Sequence, residues 1–182
     1  RQGVLLNESI ESTVYADFAN ITAFDGATLG GSAGSITVSA TNIDDIILNI
    51  LKEIEEDGGQ TLLARNGGFV VWRPADFLLL RSFAMANGFV QADSALKNPA
   101  NSFGGWDYMG LTHYSSNLLT AQHVIAGVKK VYHLGIVKDT YGQVNVTNDP
   151  LNISGVGVVS RVDYAVKAWN KTKPLLFNVI VV

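Results

Sequence analysis

Between Thr41 and Phe83 the apolar and polar positions alternate in blocks that predict helix, strand and helix with almost no spacing between them. Ile43, Ile46, Ile47, Ile50, Leu51 and Ile54 recur at i, i+3, i+4, i+7, i+8 and i+11. That spacing lays one aliphatic stripe along one face of a helix over Asn42 to Gly58, with Ile47 and Ile50 mid-stripe and expected in the core. Thr41 or Asn42 is available as its cap, Asp44 and Asp45 suit its positive end, and Gly58-Gly59 closes it. Gly67 to Trp72 reads as a buried strand. Pro74 then falls in the first turn of a second helix through Phe83, where a proline is tolerated, and that helix stops near Asn87-Gly88.

The remaining pattern is less regular. Glu8 to Asn20 predicts a helix with Ile10, Val14, Tyr15 and Phe18 roughly on one side, and the Gly/Ser-rich run from Phe24 to Ser35 predicts a mobile loop or linker. Ile36, Val38 and Ala40 alternate with Thr37 and Ser39 as a short strand. Phe89 to Gly105 is a long polar excursion, of a length that in compact domains is usually functional or contact-forming. Trp106 to Tyr114 and Val124 to Val137 read as strands, although Ala121 to Val131 is equally compatible with a helix. Asn148-Asp149-Pro150 marks a turn before Val156 to Tyr164, and Leu175 to Val182 is the final strand. The order lacks a regular βαβ alternation, so the expected class is α+β.

Composition narrows the function classes. Thirteen basic and sixteen acidic residues leave a net charge of −3, which supplies no basic face for nucleic acid. Cysteine is absent, which excludes disulfides, thiolate metal sites and thiol nucleophiles. No apolar run is long enough to span a bilayer, so no membrane partner is expected. The chain begins at Arg1 without an initiator methionine, from which processing, a tag scar or a fragment is expected.

Candidate chemistry is sparse. His113, His123 and His133 lack the helical spacing of a zinc pair and are expected in structural or surface roles. Asp107, His113 and Ser115 contain the residue types of a Ser-His-Asp triad, without the G-x-S-x-G elbow that exposes a nucleophile. Glu53, Glu55, Glu56 and Asp57 invite a cation-site reading, but Glu53, Glu56 and Asp57 lie off the aliphatic stripe and form a solvated face. The glycine-rich loop lacks the G-K-[ST] ending of a phosphate cradle. Five N-x-[ST] triplets begin at Asn7, Asn20, Asn145, Asn152 and Asn170; without a signal segment they read as chance matches rather than glycosylation sites. Trp72, Trp106 and Trp169 stand in apolar contexts where burial in a core or interface is the common fate. No catalytic residue, metal ligand or cofactor is assigned.

The order of elements resembles a known family. A helix over Asn42 to Gly58, the phrase Val70-Val71-Trp72-Arg73-Pro74-Ala75-Asp76-Phe77, the strand Trp106-Asp107-Tyr108-Met109-Gly110-Leu111 and the closing pair Arg161-Val162-Asp163-Tyr164 and Leu175 to Val182 are similar to the C-terminal half of tailed-phage major capsid proteins, the HK97-like fold. The resemblance covers roughly Asn42 to Val182. It implies an axial domain at 41–170, a remnant of the peripheral domain with the end of the spine helix and a linker at 1–40, and a C-terminal strand at 171–182 returning towards the peripheral domain. On that reading the chain is part of a longer subunit.

The implied function is structural: a phage or prophage capsid subunit, not an enzyme, self-assembling into pentamers, hexamers and a closed icosahedral shell around the genome. The virion is its expected location, with assembly in the bacterial cytoplasm and scaffold, protease or portal proteins as further partners. An encapsulin-type shell shares the resemblance. Phe89, Asn98, Asn101, Phe103 and Trp106, a mixture of apolar anchors and polar rim, are the candidate subunit interface. The rival classes are a hydrolase using His113 with Asp107 or Ser115, and a secreted glycan-binding or adhesin domain using the tryptophans.

Overall fold

The structure is a computed structural model, and it describes residues 2–18, 21–87, 105–119, 123–136, 143–148, 156–161, 163–168 and 175–182. Its helices are α1 (Gln2–Phe18), α2 (Ile43–Glu56), α3 (Gln60–Asn66) and α4 (Pro74–Ala86). Six strands form one mixed sheet: β1 (Thr22–Phe24), β2 (Gly68–Trp72), β3 (Trp106–Tyr108), β4 (Leu111–Ser115), β5 (His123–Val128) and β10 (Leu176–Ile180), in the order β1-β10-β5-β2-β4-β3. β6 (Tyr132–Ile136) pairs antiparallel with β9 (Tyr164–Ala168), and β7 (Gln143–Asn148) with β8 (Val156–Arg161), each as a separate two-stranded ribbon. The chain is a mixed α+β protein, as its element order predicts.

Both faces of the large sheet are covered, so its inner strands are apolar on alternate sides. On one side Val70 and Trp72 of β2, Val124, Ala126 and Val128 of β5, and Phe177 and Val179 of β10 join the main core with α2 and α4. On the other, Val71, Ile125 and Leu176 pack with Phe18 of α1 in a second, smaller cluster. This explains why Ala121 to Val131 had no decisive period: every residue of Val124–Val128 is buried, and β5 resolves the choice as strand.

α2 forms where its stripe puts it, and Ile43, Ile46, Ile47, Ile50 and Ile54 have no exposed surface. Its end is fixed locally. Gly58 takes φ +74, its N–H reaches Glu55 O at 3.0 Å, and the Gly59 N–H reaches Ile54 O at 2.8 Å, the paired bonds of a Schellman cap. Its start differs from expectation. Asn42 occupies the N-cap position, but its side chain makes no cap bond. Instead Nδ2 donates to Thr37 O at 2.8 Å and Oδ1 accepts from Ser39 N at 2.9 Å, so it ties down the incoming segment.

Other departures have physical causes. α1 begins at Gln2 rather than near Glu8, and the short α3 has no counterpart in the sequence reading, because seven residues with no buried side chain leave no stripe to detect. The strand expected over Ile36 to Ala40 contracts to one bridge, Ile36 with Val181, although Ile36 and Val38 are buried. The glycine-rich run is a closed turn held by Gly26 N to Gly34 O at 2.9 Å and Gly31 N to Gly26 O at 3.0 Å. Phe24, Ile36 and Val38 before it and after it belong to the same core as α2, and β10 lies between β1 and β5. Strands from the expected 1–40, 41–170 and 171–182 segments thus lie in one sheet.

Candidate functional site

The β3–β4 hairpin carries the candidate triad. Met109 at φ +50 and Gly110 at φ +78 make the two-residue, left-handed turn that matches the twist of paired strands. The register sets Trp106 opposite His113 and Asp107 opposite Thr112. Alternation then sends His113 into the core and Asp107 to the other face. His113 is fully buried between aromatic rings: Trp72, Trp106 and Tyr108 each have ring centroids about 6.1 Å from it. The Trp72 Nε1–H donates to His113 Nδ1 at 2.9 Å, which leaves Nε2 as the protonated nitrogen and lets it donate to Tyr108 O at 3.0 Å. Burial pushes its pKa down to about 4, against the opposing pull of the Tyr108 carbonyl.

Neither partner proposed for it is in place. The Asp107 carboxylate accepts from Thr112 Oγ1 at 2.6 Å, and Thr112 accepts in turn from Lys129 Nζ at 2.7 Å. Ser115 is half-buried at the end of β4. With both ring nitrogens engaged by Trp72 and Tyr108, His113 acts as a polar bolt between β2 and the hairpin. His123 Nδ1 bonds Asn178 Oδ1 at 2.8 Å, joining β5 to β10; the His133 side chain lies outside the described residues. Among the described residues no group of three or more His, Asp or Glu is placed to hold a metal ion, and no helix is long and apolar enough to cross a membrane.

A cavity of about 650 Å³ opens where α1 crosses the end of β2 and β4. Glu8, Glu11, Tyr15, Phe69, Tyr114 and Ser116 are among its lining. Both the Tyr15 hydroxyl, at 2.6 Å, and the Ser116 hydroxyl, at 2.9 Å, donate to the same oxygen of Glu11, Oε1. Burial first, and then the Glu11 carboxylate, raise the Tyr15 pKa above its ordinary value, so the phenol stays a donor. The arrangement anchors α1 to the sheet and leaves carboxylate and aromatic surface facing the opening. Sequence reading named Tyr15 only as part of the helix's apolar side and did not single out Glu11 or Ser116, because the link spans α1 and a turn far away in the chain.

Of the candidate interface residues, Phe89, Asn98, Asn101 and Phe103 lie outside the described residues. Trp106 is described, and its ring is buried in the chain's own core with 7% exposure. It stacks on Tyr108 at 5.0 Å and meets Phe77 edge-on at 6.4 Å, so it is not presented to a neighbour. Trp72 is likewise buried, and Trp169 lies outside the described residues.

α4 begins with Asp76 gripped by Arg73: Nε to Oδ2 at 2.6 Å and a terminal guanidinium nitrogen to Oδ1 at 3.1 Å, the latter nitrogen also reaching Val182 O at 3.2 Å. That fork neutralises a buried carboxylate in the first turn, where the helix dipole also favours it. Large apolar side chains left in solvent concentrate on this side of the sheet. Leu48 of α2, Leu62 of α3, and Leu78 and Met85 of α4 are all exposed, at 49%, 37%, 64% and 54%.

No family model matches the sequence. No curated protein matches it either. A solved structure from Mycobacterium phage Che8 is similar in fold, with a TM-score of 0.63 over 97% of this chain at 17% sequence identity. The chain spans 59% of the length of that structure. It thus shares its fold with a phage protein.

Proposed function

We propose that this chain is a structural, non-enzymatic part of a phage or prophage major capsid subunit with the HK97-like fold, which assembles with copies of itself into capsomers and a closed icosahedral shell. The observation that carries this reading is the fold likeness to a phage structure along 97% of the chain. The element order α2, β2, α4 and the β3–β4 hairpin is the one on which the sequence resemblance rests. The exposed Leu48, Leu62, Leu78 and Met85 of the helical layer support it too, since large apolar side chains left in water suit an interaction surface. The His113 cluster is a structural element in this reading, and the bonds of His113 to Trp72 and Tyr108, with Asp107 on Thr112, weigh against the rival hydrolase.

The virion is the proposed location, with assembly in the host cytoplasm and scaffold, protease or portal proteins as partners. Electron microscopy of the full gene product tests it. Closed shells or ring-shaped oligomers are expected, and a product that stays monomeric at high concentration overturns the reading. Phe89, Asn98, Asn101 and Phe103 remain the proposed contact residues of the 89–105 segment. Replacing Ala92 to Ser102 with a Gly-Ser link is expected to leave the circular dichroism spectrum unchanged and to lower particle yield; undiminished shells remove that segment from the contact surface.

A further inference from the structure

α4 is apolar on two sides. Phe77, Leu80 and Ala84 face inward and are buried. Ala75, Leu78, Ser82 and Met85 follow at i, i+3, i+7 and i+10 on the outward side, and all are exposed. None of them is charged. The helix's charged side chains are Asp76, held in the Arg73 fork, and Arg81. A helix apolar all round belongs in an interior, and the chain itself covers only one side of this one.

Arg81 stands at the border of that outward face, at i+3 from Leu78 and i−4 from Met85. Its guanidinium lies 4.6 Å over the Phe77 ring, and among the described residues no carboxylate pairs with it. Its Nε is buried with no hydrogen-bond partner. α2, the neighbouring helix, presents the opposite character. Leu48 projects outward, and Glu55, at i+7 on the same face, is exposed and has no ion pair among the described residues, Lys52 being engaged with Glu56 at 3.7 Å.

We propose that the outward face of α4 docks against the outward face of α2 on a second copy of this chain, with Leu78 and Met85 covering Leu48 and Arg81 meeting the Glu55 carboxylate. Leu78 to Met85 and Leu48 to Glu55 each span two turns, about 10.5 Å, so the two stripes match in length. Charge complementarity selects this pairing over the symmetric ones. α4 against α4 would place two unpaired arginines in one seam, and α2 against α2 would oppose two acidic faces. Made once per pair, the contact adds copies head to tail and forms a ring where the rotation between them closes; made twice about a two-fold axis, it forms a dimer. The inference rests on the shell reading for that ring, whereas the helix contact is tested separately.

This stretch has no cysteine of its own, and any cysteine elsewhere in the full gene product is changed to serine before the test. Leu48→Cys and Leu78→Cys versions of the full gene product are prepared separately, one isotope-labelled, then mixed and mildly oxidised. Disulfide formation requires Cβ atoms within about 4.5 Å, so it reports direct contact. The expected result is a mixed Leu48→Cys/Leu78→Cys dimer formed several-fold faster than dimers with a Ser12→Cys control on α1. Arg81→Glu on the Leu78→Cys partner should lower that rate, and Glu55→Arg on the other should restore it. All but Arg81 of these positions are exposed, and folding is checked by circular dichroism.

Self-pairing of Leu78→Cys alone, or mixed pairing no faster than the control, overturns the proposal. Shells without the mixed disulfide refute the contact and leave the capsid reading standing. The mixed disulfide without shells does the reverse.

Discussion

α2 and α4 lie side by side over the same face of one sheet, yet they are built on different plans. α2 buries five isoleucines and shows water a charged surface of Asp45, Lys52, Glu55 and Glu56. α4 buries Phe77, Leu80 and Ala84 and shows water Leu78 and Met85. A helix whose polarity is divided as in α2 is held by its own core and offers a partner only a charged rim around the single exposed Leu48. One whose polarity is not divided has a second surface to cover, and the difference separates the part of the sequence that specifies the fold from the part that specifies association.

The comparison breaks most visibly at the buried stripe. Ile50→Asp puts an unpaired charge into the core and is expected to cost several kcal/mol and unfold the domain, whereas Leu48→Asp, on the outward face, should leave the urea midpoint almost unchanged. A folded Ile50→Asp protein with wild-type melting would remove the assignment of the stripe. The same contrast on α4 is Leu80→Ala, expected to lose about 2 to 5 kcal/mol, against Leu78→Ala, expected to lose less than about 0.5 kcal/mol of monomer stability while weakening association. Equal losses in the two variants would mean that the outward face is not outward.

Acid sharpens the comparison differently. The inner face of α4 rests, through Phe77 and Trp106, on the buried His113. His113 is held neutral down to about pH 4, so between the ordinary histidine value of 6.5 and that point the unfolded chain binds the extra proton. The His113 contribution to stability therefore falls as pH is lowered through that window, by roughly 3 kcal/mol in all, and is constant below it. Denaturant melts at closely spaced pH values check this, and His113→Gln, which still offers an acceptor to Trp72, should flatten the slope. The smallest effect belongs to the exposed Lys52–Glu56 pair. Lys52→Ala is expected to cost about 0.3 to 0.5 kcal/mol and to lose even that in high salt.

Legibility in the sequence followed the same division. α2, β2 and α4 were readable because their stripe, cap glycines and first-turn proline are local signals. β5 was not decidable, because a strand covered on both faces loses its period of two, and α3 left no trace because the partly buried Leu63 alone makes no stripe. Trp106 shows the limit of reading an aromatic at a loop's end as an anchor: composition suits an interface and a core equally, and only the pairing with His113 settles it. The outward face of α4 was legible in principle, as a helix with almost no charge to turn towards water. His113 was expected in a structural role, but the hydrogen bond from Trp72 joins positions far apart in sequence, beyond the reach of local spacing.

The place of β10 has a consequence for how the chain is made. Leu176–Ile180 pairs with β5 on one side and β1 on the other, so the sheet has a gap until this late segment arrives. During synthesis, the stretch from Tyr132 to Leu175 must leave the ribosome while the β5 edge stays open and the hydrophobic face around it stays unfinished. Closing such a long loop is slow, and β10 is the strand that closes it. A nascent chain therefore cannot finish the sheet beneath α2 and α4 before Ile180 has left the ribosome, so the floor of the helical layer is laid long after the helices themselves have been made.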